Sequence, residues 1–399
     1  MNAPSEAFLQ THPFAALTLA NACAAPLEAL APHQQLIRRE LQQGGSLQAG
    51  NGVDHRALQH GLATLLDSPA DPLCDLLRPC AKALVEGVQA LPLHPVVCLL
   101  LGSAQAGMPA SYQHALRAMA LAGALAWHAR APAALLPRAM LVGLVHDIGE
   151  MYVNPEYLRA GRQLDLVEYR QLAAHPHVGA MLLTQLTDYP AEIARAVCEH
   201  HERLDGTGYP FQLLGTAISP LGQLMAVAEL ALGIVDARPH AAERASFALK
   251  FVPGELSGLW AGPITHWADQ QPRTDEAVLQ APMLAELGPL DEALPHLQAL
   301  AERLSDQLDG AAQRVAQRVV HRLHRLRIAW NAMGLWSLPA AAIEPQERFD
   351  IALATRELRY RISTVGRDCL WPEADLRVQA DARLVPLWLA LSKASQPAR

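Results

Sequence analysis

The chain of 399 residues has few charged and few aromatic side chains. Charged residues make up 18% of the sequence and aromatic residues 5%, whereas hydrophobic residues make up 51%. Because a disordered chain combines low hydrophobicity with high charge, this composition excludes general disorder. The net charge is −7, from 32 basic and 39 acidic residues. A strongly basic nucleic-acid-binding protein is therefore excluded, and no nucleic acid partner is expected.

Paired cysteines and long apolar runs are also missing. The six cysteines are scattered and form no CxxC pair, which predicts reduced thiols of a cytoplasmic protein rather than a disulfide framework. No basic stretch followed by an apolar core opens the sequence, so no signal peptide is predicted. The uncharged stretch over 87–116 is broken by three prolines, whereas a membrane span needs about 20 predominantly apolar residues. We expect a cytoplasmic protein that does not enter a membrane.

Alternating β-branched segments are scarce, and apolar residues recur at helical spacing, as they do between Leu116 and Trp127. This pattern predicts an all-α chain. Shifts in composition divide the sequence into an N-terminal helical region of unknown role (1–104), a histidine-bearing domain (105–270) and a C-terminal helical region of unknown role (271–399). The length is consistent with two or three compact units.

The flanking regions leave several interpretations open. The segment 311–330 places four arginines on one helical face and five apolar residues on another. We favour an amphipathic helix with a solvated basic face, and the alternative is a docking surface for an acidic partner. The N-terminal region fits a sensory module, a dimerisation bundle or a packing extension. A homodimer or a signalling partner could use either flanking region.

Histidine is abundant, with 17 residues, and several of these histidines lie close together in the middle domain. They occur in the segments LVGLVHDIGE, AAHPHVGAMLL and AVCEHHERLDGTGYP, with His114 upstream. Neutral imidazoles suit first-row metals, and a carboxylate can bridge two ions. Two such ions can bind phosphate oxygens and generate a bridging hydroxide at neutral pH. This mixture predicts a dinuclear phosphate-ester site inside a helical bundle.

Three motifs follow one another in this domain: HDIG at 146–149, HP-x-x-G at 175–179 and HHERLDGTGYP at 200–210. In this order they resemble the HD-GYP branch of the HD metal-dependent phosphohydrolases. The resemblance covers about 113–253, and its last part, ASFALKFVPGE, is similar to the helix that closes such domains. It implies an all-α HD-domain bundle with a buried centre of two or three metal ions, usually iron or manganese. The best-known substrate of the family is cyclic di-GMP, a bacterial second messenger, which is opened to pGpG.

The resemblance also implies a metal ligand set. The first metal ion would take His114, His146 and Asp147. The second would share Asp147 as the bridge and take three more histidines, which are His175, His200 and His201. Glu229, in AVAELALG, stands where the family has an aspartate as its last ligand.

On the substrate side, the resemblance implies a loop beside the pocket. The substrate-binding residues would be Arg203, Asp205, Gly206, Gly208, Tyr209 and Pro210. Arg203 is the candidate phosphate contact, because a guanidinium binds phosphate oxygens in bidentate fashion. The catalytic residues would be His146, Asp147 and Glu150.

The sequence departs from the family pattern at three positions. Glu150 replaces a lysine that lies near the substrate phosphate, and an anion beside an anionic substrate should raise the barrier. Glu229 is one methylene longer than the usual aspartate. Ala110 stands where three-metal members carry a glutamate, which favours two ions.

The leading hypothesis is a metal-dependent phosphodiesterase that hydrolyses cyclic di-GMP or a related nucleotide by two-metal activation of a bridging hydroxide. Its cofactors would be two divalent ions, iron or manganese, and its partner the cyclic dinucleotide. One alternative is a catalytically impaired module that binds metal and nucleotide for signalling, because Glu150 replaces the lysine. Another is a helical interaction scaffold, which predicts no bound metal.

Overall fold

A computed structural model gives the fold of the chain. It describes residues 52–159, 172–235, 240–271, 287–334, 345–369 and 381–396, together with residues 162, 164, 168 and 169. Residues 1–51 of the predicted N-terminal region and residues 272–286 of the predicted C-terminal region lie outside these residues. Within them the regular structure is helical, apart from one isolated β-bridge between Asp205 and Leu214, which confirms the prediction of an all-α fold.

The described residues divide into two compact units, the first of which contains the residues up to Ser246 and Gly254–Asp269. Its helices are α1 (His55–Leu66), α2 (Cys74–Leu77), α3 (Ala81–Gln89), α4 (Pro95–Gly107), α5 (Pro109–His128), α6 (Leu135–Val145), α7 (His175–Leu186), α8 (Ala191–Glu199), α9 (Pro220–Val235), the first part of α10 (Ala241–Phe251) and α11 (Gly258–Asp269). Short 3-10 turns lie at Arg78–Cys80, Ile148–Tyr152, Pro155–Leu158 and Gly215–Ala217. The N-terminal residues that the structure describes share this unit with the histidine-bearing residues.

Helix α5 lies at the centre of the first unit and packs against α6 and α9. Its stretch from Ala118 to Ala126 is buried on every face. Alanine, glycine and leucine dominate this stretch, and the small side chains allow neighbouring helices to approach closely. Trp127, at the end of the apolar spacing, is 42% exposed. The spacing therefore predicted the helix correctly, although burial ends at Ala126, one residue before Trp127.

The 3-10 turn at Ile148–Tyr152 lies directly against the start of α7. A Cβ atom on Gly149 would overlap the carbonyl oxygen of His175, so this close approach requires glycine. The turn follows His146 and Asp147, and α7 begins at His175. The contact between the turn and α7 therefore brings His146 and Asp147 next to His175.

The second unit contains Phe247–Pro253 and the described residues from Gln270 onward. Its helices are α12 (Leu287–Gln307), α13 (Gly310–Ala332), α14 (Pro345–Asp368) and α15 (Val385–Ser395), with a 3-10 turn at Ala382–Leu384. The apolar face predicted for α13 is buried in its core, as Val315, Val319, Leu323, Leu326 and Trp330 show. On the arginine face, Arg322 pairs with Asp368, and Arg325 donates a hydrogen bond to the carbonyl oxygen of Pro253. These internal contacts favour the packing interpretation over a docking surface.

None of the helices that the structure describes has both the length and the apolar character needed to span a bilayer.

Candidate metal centre

Seven side chains from five separate segments of the first unit converge on one buried centre. His114 lies on α5 and Glu229 on α9, His146 and Asp147 follow α6, His175 is the first residue of α7, and His200 and His201 follow α8. His146 and His200 are fully buried, and His175 is 2% exposed. The structure thus brings together every residue predicted as a metal ligand.

The first set of ligands consists of His114, His146, Asp147 and Glu229, whose ligand atoms lie within 4.8 Å of one another. The Glu229 Oε2 atom lies 3.1 Å from His114 Nε2 and 3.2 Å from His146 Nε2. Asp147 Oδ2 lies 3.1 Å from His146 Nε2 and 3.6 Å from His114 Nε2. The longer glutamate at position 229 therefore reaches the same imidazoles as Asp147.

The second set consists of Asp147, His175, His200 and His201, again within 4.8 Å of one another. The Oδ1 atom of Asp147 lies 3.2 Å from His175 Nε2 and 3.4 Å from His200 Nε2. The rings of His200 and His201 lie 4.2 Å apart between centroids. Asp147 belongs to both sets, and its two oxygens face different sets, which is the arrangement of a bridging carboxylate.

Backbone carbonyls orient three of the imidazoles. The Nδ1 atoms of His146, His175 and His200 lie 2.8, 2.7 and 2.6 Å from the carbonyl oxygens of Gly143, Leu172 and Val197, each three residues earlier in the chain. Because a carbonyl oxygen can only accept, Nδ1 carries the hydrogen in each ring. The Nε2 lone pair then points into the centre, as in histidines that bind metal through Nε2.

Two buried atoms at the centre fit a cation and little else. Among the described residues, the Nε2 atom of His146 and the Oδ1 atom of Asp147 make no hydrogen bond of normal geometry, although other atoms of the centre lie 3.1 and 3.2 Å away. A buried polar atom without a partner costs about 1–3 kcal/mol. Imidazole nitrogens and carboxylate oxygens are the ligands that divalent first-row metals accept. The donor set and these unpartnered atoms therefore fit bound divalent metal ions.

Burial and neighbouring charges shift the pKa values of the ligands. Burial opposes the charge of Asp147, yet the surrounding imidazoles hold its pKa well below the usual range. Burial lowers the pKa of His114, but the carboxylates of Glu229 and Asp147 together outweigh burial and raise this pKa from its usual value to about 9. Burial and the neighbouring imidazoles lower the pKa of His201 well below its usual value. The second set therefore presents a neutral imidazole, the form that binds metals.

Glu150, which stands in place of the family lysine, lies at the edge of the centre. Its backbone N–H donates to the carbonyl oxygen of Asp147 over 2.8 Å, and its carboxylate lies 3.4 Å from the hydroxyl of Ser111 on α5. Burial and the charge of Asp147 raise the pKa of Glu150 to about 7. The carboxyl group is therefore partly protonated at neutral pH.

The predicted substrate loop packs beside the second ligand set. The ring of Tyr209 stacks on the ring of His201, with centroids 4.5 Å apart and planes 19° apart. Asp205 turns into its own loop, where it accepts hydrogen bonds from the backbone and hydroxyl of Thr207. Gly206, Gly208 and Pro210 belong to the same loop. Tyr209, one of the predicted substrate-binding residues, thus contacts the candidate metal ligand His201 directly.

Arg203 has a different environment from the one that the resemblance implies. Its Nε atom lies 3.7 Å from the buried carboxylate of Glu255, and its NH1 group donates to the carbonyl oxygen of Glu202 over 2.9 Å. The side chain of Arg203 is 12% exposed. These contacts occupy the guanidinium within the protein.

Two buried glutamates that sequence reasoning had not assigned flank the His200-His201 pair. Glu199 is 3% exposed and Glu202 is fully buried. The signal in the sequence was the run EHHE, in which two acids adjoin two histidines.

Comparison with known proteins adds independent findings. The sequence pattern of the HD domain matches residues 104–251. A cyclic di-GMP phosphodiesterase of Pseudomonas aeruginosa is 35% identical over 161 residues, which are 40% of this chain and 39% of that protein. The 3'3'-cGAMP-specific phosphodiesterase 1 of Vibrio cholerae is 35% identical over 100 residues, 25% of this chain and 23% of that protein. No solved structure shows a significant match.

A cyclic di-GMP phosphodiesterase response regulator of Xanthomonas campestris is 31% identical over 97 residues, which are 24% of this chain and 26% of that protein. The chain thus matches less than half of the length of each of these relatives. The matching pattern contains all seven ligand residues of the buried centre and the whole of the HHERLDGTGYP run. Residues 104–251 of this chain therefore match the HD domain, in the part of the chain where the three motifs resemble the HD-GYP branch.

Proposed function

We propose that this protein hydrolyses the phosphodiester of a cyclic dinucleotide, with cyclic di-GMP as the first candidate, by means of two divalent metal ions. One observation carries the proposal: the two oxygens of Asp147 face two separate sets of imidazoles, at 3.1 Å from His146 Nε2 and 3.2 Å from His175 Nε2. The named substrates of the relatives, cyclic di-GMP and 3'3'-cGAMP, support the substrate class.

The residues that would hold the ions are the seven that converge at the centre: His114, His146, Asp147, His175, His200, His201 and Glu229. Bound ions supply Lewis acidity toward the phosphate oxygens and a water activated at neutral pH. The chain keeps three of the imidazoles aimed inward through their Nδ1 contacts and keeps His146 and His200 away from solvent. Histidine and carboxylate ligands suit iron and manganese, which we propose as the native metals.

We further propose that the loop over 205–210 forms one wall of the substrate pocket. Tyr209 supports this proposal, because its ring stacks directly on the ligand residue His201. The contact between Arg203 and Glu255 favours a role for Arg203 in holding the loop rather than the predicted phosphate contact. Glu150 would lie near the phosphate, where its charge opposes an anionic substrate.

An impaired module that binds metal and nucleotide without hydrolysis is the alternative that Glu150 suggested. The relatives that match this chain are named as phosphodiesterases, which favours the enzyme. All of the proposed ligands remain in place at the centre. We therefore keep hydrolysis as the proposed function.

We also propose a cytoplasmic location. Five of the six cysteines lie in the described residues, and these carry free thiols, as expected in a reducing compartment. The second unit has its own core and lacks the ligand residues, so it is available for a homodimer contact or a signalling partner. The division of the chain into functional regions at 104 and 270 belongs to the same proposal.

Turnover by the metal-loaded protein tests the proposed function. Wild-type protein loaded with Fe(II) or Mn(II) should convert cyclic di-GMP to pGpG, as followed by liquid chromatography. The Asp147→Ala variant should lose about a thousandfold or more of the rate, because both ligand sets lose the carboxylate that they share. Asp75→Ala, at an exposed aspartate, should retain the wild-type rate. A metal-loaded wild type that hydrolyses neither cyclic di-GMP nor 3'3'-cGAMP would contradict the proposal.

A further inference from the structure

The two glutamates that flank the His200-His201 pair point away from the centre and toward different segments. Neither belongs to a ligand set. Both are buried, and a buried carboxylate requires hydrogen-bond donors to offset the loss of water. The identity of those donors shows what each glutamate holds.

Glu202 holds the substrate loop through its backbone. One carboxylate oxygen accepts from the N–H of Phe211 over 2.6 Å, and the other accepts from the N–H of Leu213 over 3.0 Å. Each of these two hydrogen bonds offsets part of the cost of burying the side chain. The single side chain of Glu202 therefore ties down the end of the loop that starts just after it.

The loop closes tightly around this carboxylate. A Cβ atom on Gly208 would overlap the backbone of Glu202 and Arg203, so the loop folds back onto its own start. The N–H of Tyr209 then donates to the carbonyl oxygen of His201 over 3.2 Å, and the Tyr209 ring stacks on the His201 ring. The turn that carries Tyr209 is thus held at two places. Gly208 packs against the backbone of residues 202–203, and the Glu202 carboxylate binds the N–H groups of Phe211 and Leu213.

Glu199 holds a different element. It accepts from Arg195 Nε over 2.7 Å, from the backbone N–H of Ser219 over 2.8 Å and from the Ser219 hydroxyl over 2.5 Å. Ser219 directly precedes α9, the helix that carries Glu229. Glu199 and Glu202 are thus both buried glutamates that adjoin the histidine pair in the sequence. Glu199, however, does not contact the loop.

We propose that Glu202 is a positioning residue for substrate binding: its carboxylate holds Phe211 and Leu213, just after the 205–210 loop, so that the wall beside His201 is formed before the nucleotide arrives. The substrate part of this inference rests on the proposed function. A preformed wall lowers the ordering cost of binding, so its loss should weaken binding of the nucleotide more than it slows the chemical step. Metal binding should not change, because the seven ligand residues stay in place.

Hydrogen exchange and kinetics on the metal-loaded full chain test this inference together. In Glu202→Gln, the amide group cannot accept from both backbone donors, so exchange at the Phe211 and Leu213 amides should rise about tenfold or more. KM for cyclic di-GMP should rise about tenfold or more while kcat stays within about threefold. Metal content should equal that of the wild type. Glu199→Gln is the matched control for the loop and should leave exchange at the Phe211 and Leu213 amides at the wild-type rate.

Unchanged exchange at Phe211 and Leu213 in Glu202→Gln would overturn the inference, as would a fall in kcat with KM unchanged, or a loss of metal. If Glu202→Gln does not fold, Glu202→Asp keeps the charge but is too short to reach both amides, and it should show the same pattern. A wild type that turns over no cyclic dinucleotide would refute the proposed function alone. The exchange measurement would then still decide whether Glu202 holds the loop.

Discussion

At the scale of single residues, Asp147 and Glu150 lie three positions apart but have opposite proposed effects on an anionic substrate. Asp147 would hold the metal ions that bind the phosphate, whereas the carboxylate of Glu150 would repel it. Asp147 lies between two sets of imidazoles, which hold its pKa well below the usual range, so it stays ionised. Burial and the charge of Asp147 raise the pKa of Glu150 to about 7. The hydroxyl of Ser111 lies 3.4 Å from the Glu150 carboxylate, and the nearby imidazoles only partly oppose the rise in its pKa. The two carboxylates are therefore expected to respond differently to substitution.

Replacing Glu150 by lysine should increase activity. The Glu150→Lys variant removes a carboxylate beside the expected position of the phosphate and adds a cation there. We expect kcat/KM for cyclic di-GMP to rise about tenfold, which corresponds to about 1.4 kcal/mol in transition-state energy. Glu156→Lys, at a half-exposed residue in the same part of the chain, is the control and should have no effect. An unchanged or lower kcat/KM in Glu150→Lys would show that position 150 does not face the substrate.

Residue types in motif order predicted the ligand set, whereas the partners of two charged residues could not be predicted. The histidines were identifiable because several fell within named motifs at fixed order. Arg203 pairs with Glu255, which lies far along the chain, so nothing local in the sequence indicates that contact. Glu199 and Glu202 look like two more acids of a metal motif, and only the fold shows that their donors include backbone N–H groups later in the chain.

At the scale of elements, the centre depends on how closely a short turn approaches a helix. The turn at Ile148–Tyr152 rests on the first turn of α7, with Gly149 against the carbonyl of His175. The sequence indicates both elements, because HDIG ends one apolar run and HP-x-x-G begins the next. It does not indicate their separation, because the distance between a turn and a helix is set by packing rather than by local propensity.

The Gly149→Ala variant tests this contact. The added methyl group must displace the backbone of α7, and overpacking of this kind costs about 1–3 kcal/mol in the free energy of unfolding. Because His175 moves with that backbone, the variant should also bind less metal than the wild type. Gly233→Ala, in α9, where a Cβ atom would meet nothing within 4 Å, should instead be stabilising by about 0.5–1 kcal/mol. Equal stability and equal metal content in Gly149→Ala and wild type would refute the close contact as a requirement of the centre.

At the scale of the whole molecule, one unit carries the ligands and the other carries a separate core. The sequence predicted helices throughout, and the periodicity of 311–330 predicted the buried face of α13. The division into units is less visible in the sequence. The short stretch Phe247–Pro253 belongs to the second unit although its neighbours on both sides belong to the first. This assignment of Phe247–Pro253 to the second unit depends on contacts between segments that are distant in the sequence. Composition does not show such contacts.

A cavity in the core of the second unit tests whether that unit is needed for the metal centre. Leu323→Ala, at a fully buried position of α13, should lower the free energy of unfolding by about 2–5 kcal/mol. Metal content and kcat should stay at wild-type values under conditions in which the protein is folded. Ile328→Ala, at a position of the same helix that is 54% exposed, is the control and should change stability by no more than about 0.5 kcal/mol. Loss of metal in folded Leu323→Ala would show that the centre depends on the second unit.

The central claim is that Asp147 joins two metal-binding sets in one buried centre. Counting metal ions per chain by mass spectrometry, in wild type and in Asp147→Ala, tests it most directly. Two divalent ions per chain in the wild type and one or none in Asp147→Ala would agree with the two ligand sets that share this carboxylate. A wild-type count other than two, or two ions retained without Asp147, would contradict the claim.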